Sequence, residues 1–227
     1  MLISKYPYPQ LNRVDSPGGR RYLTPDGTKL PSVTTILDKT KSEESKAALQ
    51  AWRKRVGEQQ AQQITTEAAG RGTRMHKYLE NYVLTGDLGT PGTNPYSQQS
   101  HAMATVLVET YMKEHLHEAW GSEVALYYPG LYAGTCDLTG TWMGRPAILD
   151  FKQTNKPKKR EWIDDYFCQL AAYAMAHNEV YGTDIKDGVV LMCSKDFEPQ
   201  VFEVSGSEFE KYTDEWLRRV EQYWSMQ

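Results

Sequence analysis

Apolar and polar positions along this chain change rhythm several times. Near the start, "RRYLTPDGTKL" runs through Pro25-Asp26-Gly27, a turn-forming trio, and predicts a small hairpin. "PSVTTILDK" predicts a short helix that Ser32 can cap. Residues 43–62 are strongly polar but helical in character. "GRGTRMHKYLENYVLTG" is a clearer helix, because Met75, Leu79, Tyr82 and Val83 recur on one face and Gly86 stops it. "GTPGTNP" at 89–95 predicts a loop, and residues 97–119 another helix.

After that the pattern turns to strands. Residues 122–128, 133–142 and 146–152 read as three in succession. Residues 161–180 return to a helical period, with Ile163, Phe167, Leu170 and Ala174 as the buried stripe. "GVVLMC" and "QVFEV" are two further strands. The last helix starts at a capping box of Ser207 with Glu210 and carries Phe209, Tyr212, Trp216, Val220 and Tyr223 inward. Helices followed by βββαββα predict an α/β (α+β) fold with a central mixed β-sheet flanked by helices. The expectation is one domain over 1–227, in which a mainly helical part (1–120) clasps a sheet-containing core (121–227).

Composition narrows the class. With 40% hydrophobic and 24% charged residues in 227, the chain can build a core and is not disordered throughout. A formal net charge of -3 argues against a protein held to nucleic acid by bulk positive charge. Local basic patches remain at Arg53-Lys54-Arg55, at Arg71 with Arg74 and Lys77, and from Lys156 to Arg160. Such patches are ordinarily solvated surface. Cys136, Cys168 and Cys193 are scattered, giving no disulfide framework and no CxxC knuckle, so a reducing cellular interior is expected. No apolar run reaches transmembrane length, and "MLISKYPYPQ" has neither signal-peptide nor transit-peptide form, so no membrane partner is expected.

The chemistry concentrates in "PAILDFKQT", where Asp150 and Lys152 interrupt an apolar strand. If Gly144-Arg145 form the turn before it, Met143 opposes Pro146, Leu138 opposes Phe151 and Asp137 opposes Lys152. One face then collects Cys136, Leu138, Trp142, Ala147, Leu149 and Phe151. The other collects Asp137, Thr139, Thr141, Ile148, Asp150 and Lys152. Opposed residues lie about 5 Å apart and diagonal ones roughly 7–8 Å, so two carboxylates and a lysine converge. A solvated Asp–Lys pair is the plain alternative. A carboxylate-pair glycosidase would use both acids and leave the lysine idle. In the reading that employs all three, the acids hold a hard divalent cation and the lysine serves a water attacking a phosphate.

"GTCD", "ILDFK" and "QLAAY" occur in that order, with "RGTRMHKYLE" upstream. Together they resemble the RecB-type branch of the PD-(D/E)xK nuclease superfamily, whose pattern is G-x-x-D, D-x-K and Q-x-x-x-Y with a helical histidine motif. "PSVTTIL" and "WLRRVEQY" extend the resemblance over most of the chain, with weaker support in 86–120. The resemblance implies a restriction-endonuclease-like nuclease core. It implies that Asp137 and Asp150 bind metal, that Lys152 is the catalytic lysine, and that the Phe151 carbonyl and His76 are further ligands. Gln169 and Tyr173 would help to build the site and meet substrate. It also implies Mg²⁺ or Mn²⁺, one or two ions, and DNA as partner. Single strands with free ends would be preferred, leaving 5′-phosphate and 3′-hydroxyl. A small nuclease domain of this kind fits an expected role in recombination, repair or DNA turnover in the cytoplasm of a bacterial or phage-infected cell.

Further candidates come from position. Ser32 and Thr34 can donate to a phosphate, Arg74 is a candidate substrate contact, and Glu123, heading the first strand of the sheet, a supporting acid. His76 and Glu80 share a helix face. His115 and His117, two apart on a helix, point away from each other. Trp162, Tyr166, Gln169 and Tyr173 form a stripe that is either a half-buried helix edge or a face for stacking bases. "NKPKKR" is a candidate guide for a phosphate backbone. Gln153 stands where many relatives carry Thr or Ser. Three scattered cysteines cannot build an iron–sulfur cluster, and no GxxxxGK[ST] motif supports ATP use. The alternatives are a structure-specific endonuclease of the same superfamily and a nucleic-acid-binding protein without turnover. Because metal must displace protons from the carboxylates and His76, activity at limiting metal should fall in acid.

Overall fold

In the computed structural model, which describes residues 2–227, the first regular elements form a small antiparallel sheet. It comprises β1 (Asn12–Ser16), β2 (Gly19–Leu23) and β3 (Lys29–Pro31). The β2–β3 hairpin turns at Pro25-Asp26-Gly27 as the sequence predicts, whereas β1, exposed throughout, carries no apolar alternation by which to foresee it. Ser32 caps α1 (Val33–Lys39), its hydroxyl accepting the Thr35 amide at 3.0 Å. The polar helix expected over 43–62 is two helices, α2 (Glu43–Val56) and α3 (Glu58–Thr85), broken at Gly57 with φ 85°. Gly86, left-handed at φ 80°, ends α3.

The helix expected over 97–119 is shorter. α4 (Pro95–Leu107) starts with Pro95 behind the Asn94 cap, passes through a π-helical turn at Val108–Met112 and ends in α5 (Lys113–His115). From Leu116 the chain is already strand β4 (Leu116–Tyr128). The helix-forming residues Leu116, Glu118 and Ala119 are overruled there by pairing with the next strand. His115 thus ends a helix while His117 lies in a strand, and Glu123 sits well inside β4 rather than at its head.

β4 begins a five-stranded mixed sheet of order β4-β5-β6-β7-β8, with β5 (Tyr132–Trp142), β6 (Arg145–Thr154), β7 (Asp187–Ser194) and β8 (Pro199–Val204). Only β6 and β7 are parallel, and α6 (Asp164–Tyr181) makes the crossover between them. α7 (Gly206–Ser225) closes the chain. Ser205 precedes it, so the helix begins ahead of the predicted Ser207 box. The core has two layers. On one face of the sheet Ile148, Val190 and Met192 pack with Phe167, Leu170, Trp216 and Ile36 of the α6, α7 and α1 helices. On the other, Leu138, Leu149, Phe151 and Leu191 pack with Met75, Leu79, Met103 and Leu107 of α3 and α4.

The central hairpin departs from the predicted register. Met143 and Gly144, at φ 50° and 80°, are the turn, so Trp142 pairs with Arg145 and Leu138 with Leu149. Two adjacent left-handed residues make the type I′ turn that fits strand twist, and glycine is best placed second. Arg145 is then free to join β6, where its Nε lies 2.9 Å from Asp187. Cys136 is the second correction. It is buried with the α6 layer, whereas Leu138 faces α3 and α4. Alternation therefore breaks at Asp137.

Candidate active site

That break has a local cause. Opposite Asp137 on β4, Glu123 is left-handed at φ 52°, a conformation that costs a non-glycine residue on the order of 1–3 kcal/mol. The β4–β5 ladder skips this one pair, holding Ser122 against Leu138 and Val124 against Cys136. On the other side, the β5–β6 ladder ends at Leu138–Leu149. There the Asp137 carboxylate takes over as acceptor: its Oδ2 receives the Phe151 amide at 2.7 Å. The strands splay, and polar side chains fill the opening.

Asp150 lies in this opening, 2% exposed. Its Oδ2 has no well-aligned hydrogen bond and meets the Lys152 ammonium as an ion pair. Burial pushes the Asp150 carboxyl up to about 6, with Lys152 and His76 pulling down and Asp137 adding to the rise. Burial also disfavours the Lys152 ammonium, but Asp150 and Asp137 outweigh it and hold the lysine above its ordinary value. The same ammonium reaches Gln169 Oε1 at 3.4 Å and lies 4.9 Å from the centre of the Tyr166 ring. It is therefore a fixed cation with its donors aimed across the opening.

His76 comes in from α3. Its Nε2 lies 2.7 Å from the Phe151 carbonyl oxygen, and its Nδ1 is 3.6 Å from both Glu123 Oε1 and Asp137 Oδ1. Burial works against the imidazolium, yet Asp137 and then Glu123 overcome it and push the pKa from 6.5 up to about 9. The ring thus spans three oxygens from three strands. One ligand atom each from His76, Glu123 and Asp137 lies within 4.8 Å of the others, a spread that a single ion can gather. Carboxylates, a main-chain carbonyl and an imidazole form a donor set for a hard divalent cation, and the unsatisfied Oδ2 of Asp150 is a further oxygen without a hydrogen-bonding proton.

Two cavities meet at the cluster. A groove of about 800 Å³ is lined by His76, Glu123, Phe151, Lys152 and Tyr166, with Glu80 and Gly72 of α3. A smaller cavity of about 260 Å³ opens on the other side of Glu123 and Asp137, lined by Ser32, Thr34, Gln169 and Tyr173 with Arg13 and Arg20. Gly134 shows how two sequence motifs meet: a Cβ there would lie 2.7 Å from the Tyr173 hydroxyl. Glycine at the start of "GTCD" thus leaves room for the tyrosine that ends "QLAAY".

The structure gathers Asp137, Asp150, Phe151, Lys152, His76, Glu123 and Gln169 at one point, with Tyr173, Ser32 and Thr34 along the smaller cavity. The Ser32 hydroxyl is engaged within the chain by Thr34 and Thr35. Arg74 lies elsewhere, because it projects from the flank of α3 that meets α4. There it donates to the Tyr96 carbonyl and Ser100, each at 3.3 Å. Trp162 is on a 3-10 turn (Arg160–Trp162) ahead of α6, so it does not continue the helical stripe of Tyr166, Gln169 and Tyr173. Arg13 and Arg20 lie outside the motifs of the nuclease resemblance, and no sequence signal marked them as site residues. Tyr166 was visible only as part of the aromatic stripe.

A mixed five-stranded sheet splayed at a carboxylate–lysine–histidine cluster defines the class of fold and site. Among known proteins, the chain is similar to mitochondrial genome maintenance exonuclease 1 from Mus musculus, at 29% identity over 204 residues. It is also similar to the Homo sapiens protein of that name, at 25% over 207 residues. Each match takes in 86% of this chain, but the chain spans only 59% and 58% of the two relatives. No family model matches. Among solved structures, a candidate exonuclease from Eubacterium rectale superposes with a TM-score of 0.48 at 16% identity, over 67% of this chain and 64% of the other.

Proposed function

We propose that this chain is a divalent-metal-dependent DNA exonuclease of the RecB-type PD-(D/E)xK kind. The observation that carries the reading is the convergence of Asp137, Asp150, His76 and the Phe151 carbonyl beside the Lys152 ammonium. The similarity to proteins named exonucleases supports it. Asp137, Asp150, the Phe151 carbonyl and His76 would hold Mg²⁺ or Mn²⁺, with Glu123 beside them. When bound, such an ion neutralises charge on phosphoryl oxygens and acidifies a water. Lys152, kept protonated by Asp150 and Asp137 and steadied by Gln169, orients the attacking water and stabilises the charge that develops on phosphorus-bound oxygen. The water oxygen bonds to phosphorus as the bond from phosphorus to the 3′-oxygen breaks; the water gives its proton to solvent and the departing 3′-oxygen takes one from solvent, giving a 5′-phosphate and a 3′-hydroxyl. Single-stranded DNA is the proposed substrate. The groove offers the Tyr166 ring and the Lys152 ammonium, groups that a base and a phosphate of an unpaired strand can use. The whole chain is taken as one nuclease unit.

The test is an assay on end-labelled linear and circular single-stranded DNA with Mg²⁺, Mn²⁺ or EDTA, beside Asp150→Asn. Metal-dependent loss of linear DNA, with circles spared and the variant inactive, is the expected result. Cleavage of circles would replace the exonuclease by an endonuclease. Binding without cleavage in any metal would overturn catalysis altogether.

A further inference from the structure

The loop after β6 carries the basic run, and it is built rather than loose. Gln200 of β8 grips it at two points, its Oε1 accepting the Lys158 amide at 2.8 Å and its Nε2 donating to the Lys158 carbonyl at 2.9 Å. One side chain thus supplies what a neighbouring strand would. Two residues on, Arg160 is held by Glu208 through both Nε and Nη2, donates to the Glu203 carbonyl at 2.8 Å and lies 4.6 Å from the centre of the Phe167 ring. Both ends of the loop spring from the wall of the large groove, Gln153 before it and Tyr166 after it.

On this clamped loop sits Trp162, 61% exposed. Large aromatic side chains are ordinarily drawn into cores or partners, and here the flanking Arg160 and Ile163 are both anchored while the indole is left in solvent. Lys159 places its ammonium 5.4 Å from the ring centre, and Lys156 and Lys158 have no carboxylate partner among the described residues. Lys159 itself has only the exposed Glu161 near it, at 3.9 Å, a long and solvent-screened pair. An exposed indole on a lysine-rich loop is complementary to a base followed by its phosphate.

Resting on the nuclease reading above, we propose that Trp162 stacks on an unpaired nucleobase of the strand lying in the groove, with Lys158 and Lys159 on the adjoining phosphates. Gln200 is the positioning residue that holds this rim in place. The occupant is single-stranded nucleic acid; a duplex keeps its bases stacked inside and cannot offer one.

The experiment compares Trp162→Ala, Trp162→Phe and Gln200→Leu with the unchanged protein on single-stranded oligonucleotides and on bis-p-nitrophenyl phosphate, a phosphodiester without a base. Trp162→Ala should raise KM for the oligonucleotide about 10-fold, with kcat and the base-free diester within twofold. Phenylalanine should restore most of the loss, and Gln200→Leu should raise KM about 3-fold. Strands with one abasic nucleotide, scanned along the chain, should show a position where the missing base weakens the unchanged protein but not Trp162→Ala. An unchanged KM in Trp162→Ala, or an equal loss on the base-free diester, overturns stacking. If the unchanged protein cleaves neither substrate, the nuclease reading fails by itself. Stacking is then decided by fluorescence anisotropy of a labelled single strand in Ca²⁺, where equal affinity of the two proteins would overturn it.

Discussion

Two histidines flank the central hairpin, and their surroundings are opposites. His76 sits among Asp137, Glu123 and the Phe151 carbonyl, in a cluster whose Asp150 has an oxygen without an aligned hydrogen bond. His177 of α6 is fully buried in a box of Tyr6, Tyr8, Trp120 and Tyr181. Both its ring nitrogens are satisfied, Nε2 by the Tyr8 hydroxyl at 2.9 Å and Nδ1 by Thr183 at 2.8 Å. The first region pushes its histidine up to about 9, the second lowers its histidine to about 4 by burial alone. The difference separates a place that is complete from one that is not. The aromatic box satisfies itself and fastens residues 3–8 to the edge of β4, where the Ile3 amide bonds Ala119. The carboxylate cluster holds more acceptors than its two cations can serve, which is the condition of a site built to receive something.

The largest expected effect breaks the incomplete region. Lys152→Met should lower kcat on single-stranded DNA by roughly 10²- to 10³-fold, the usual worth of a preorganised charge aimed at the reacting oxygens. Binding of Mn²⁺ should survive, because the oxygens remain. A variant that keeps a tenth of the activity would remove Lys152 from the chemistry.

Next come the two histidines themselves, read by urea unfolding of metal-free protein across pH. The folded value of His177, about 4, is below its ordinary 6.5, so its contribution is complete above pH 6.5 and is lost as pH falls toward 4. A shift of that size corresponds to about 3 kcal/mol at full titration. His76, raised to about 9, acts in the reverse direction: its contribution is complete below 6.5 and is lost as pH rises through 9. His177→Gln should flatten the acid limb of stability and His76→Gln the alkaline limb. Equal responses of the two variants would erase the contrast. Metal acts on one region alone. At 100 times its Kd, Mn²⁺ stabilises a one-site protein by about 2.7 kcal/mol, which raises the Tm by roughly 5–10 °C. That rise should be reversed by EDTA, absent in Asp137→Asn and intact in His177→Gln.

The same contrast explains what the sequence could show. Strands, crossover helix and mixed sheet were legible because Ile148, Leu149, Phe151 and the Phe167–Leu170 stripe carry clean periods. The hairpin was read with its turn one residue late, yet Asp137 still fell beside Asp150 and Lys152. Pairing moved by two residues, and a shift of two keeps each side chain on its face. The reversal between Cys136 and Leu138 was not legible, because it depends on a left-handed Glu123 in a neighbouring strand. Nor was the Gln200 clamp, which joins residues 42 apart by side-chain geometry alone. Helix propensity misled outright at residues 116–119, where an edge of the sheet claimed them. His177 carried no signal either, for a lone helical histidine says nothing of the tyrosines brought to it from the other end of the chain.

The smallest expected effect tests the complete region from within. The Tyr8 hydroxyl joins Thr139 at 2.7 Å to His177 at 2.9 Å, and Gly121 makes space for the ring, since a Cβ there would lie 2.5 Å from it. Tyr8→Phe keeps the ring and its packing on Tyr181 but deletes the bridge, leaving the Nε2 of His177 buried without a partner. A buried group so stranded costs about 1–3 kcal/mol, seen as a lower urea midpoint with an unchanged slope. Activity and metal response should stay within twofold, because the box touches none of the groups at the opening between β5 and β6. A loss of activity in Tyr8→Phe out of proportion to its stability would mean that the two regions are coupled through Thr139, two residues from Asp137 on the same strand. The aromatic box would then be part of what holds the strands apart.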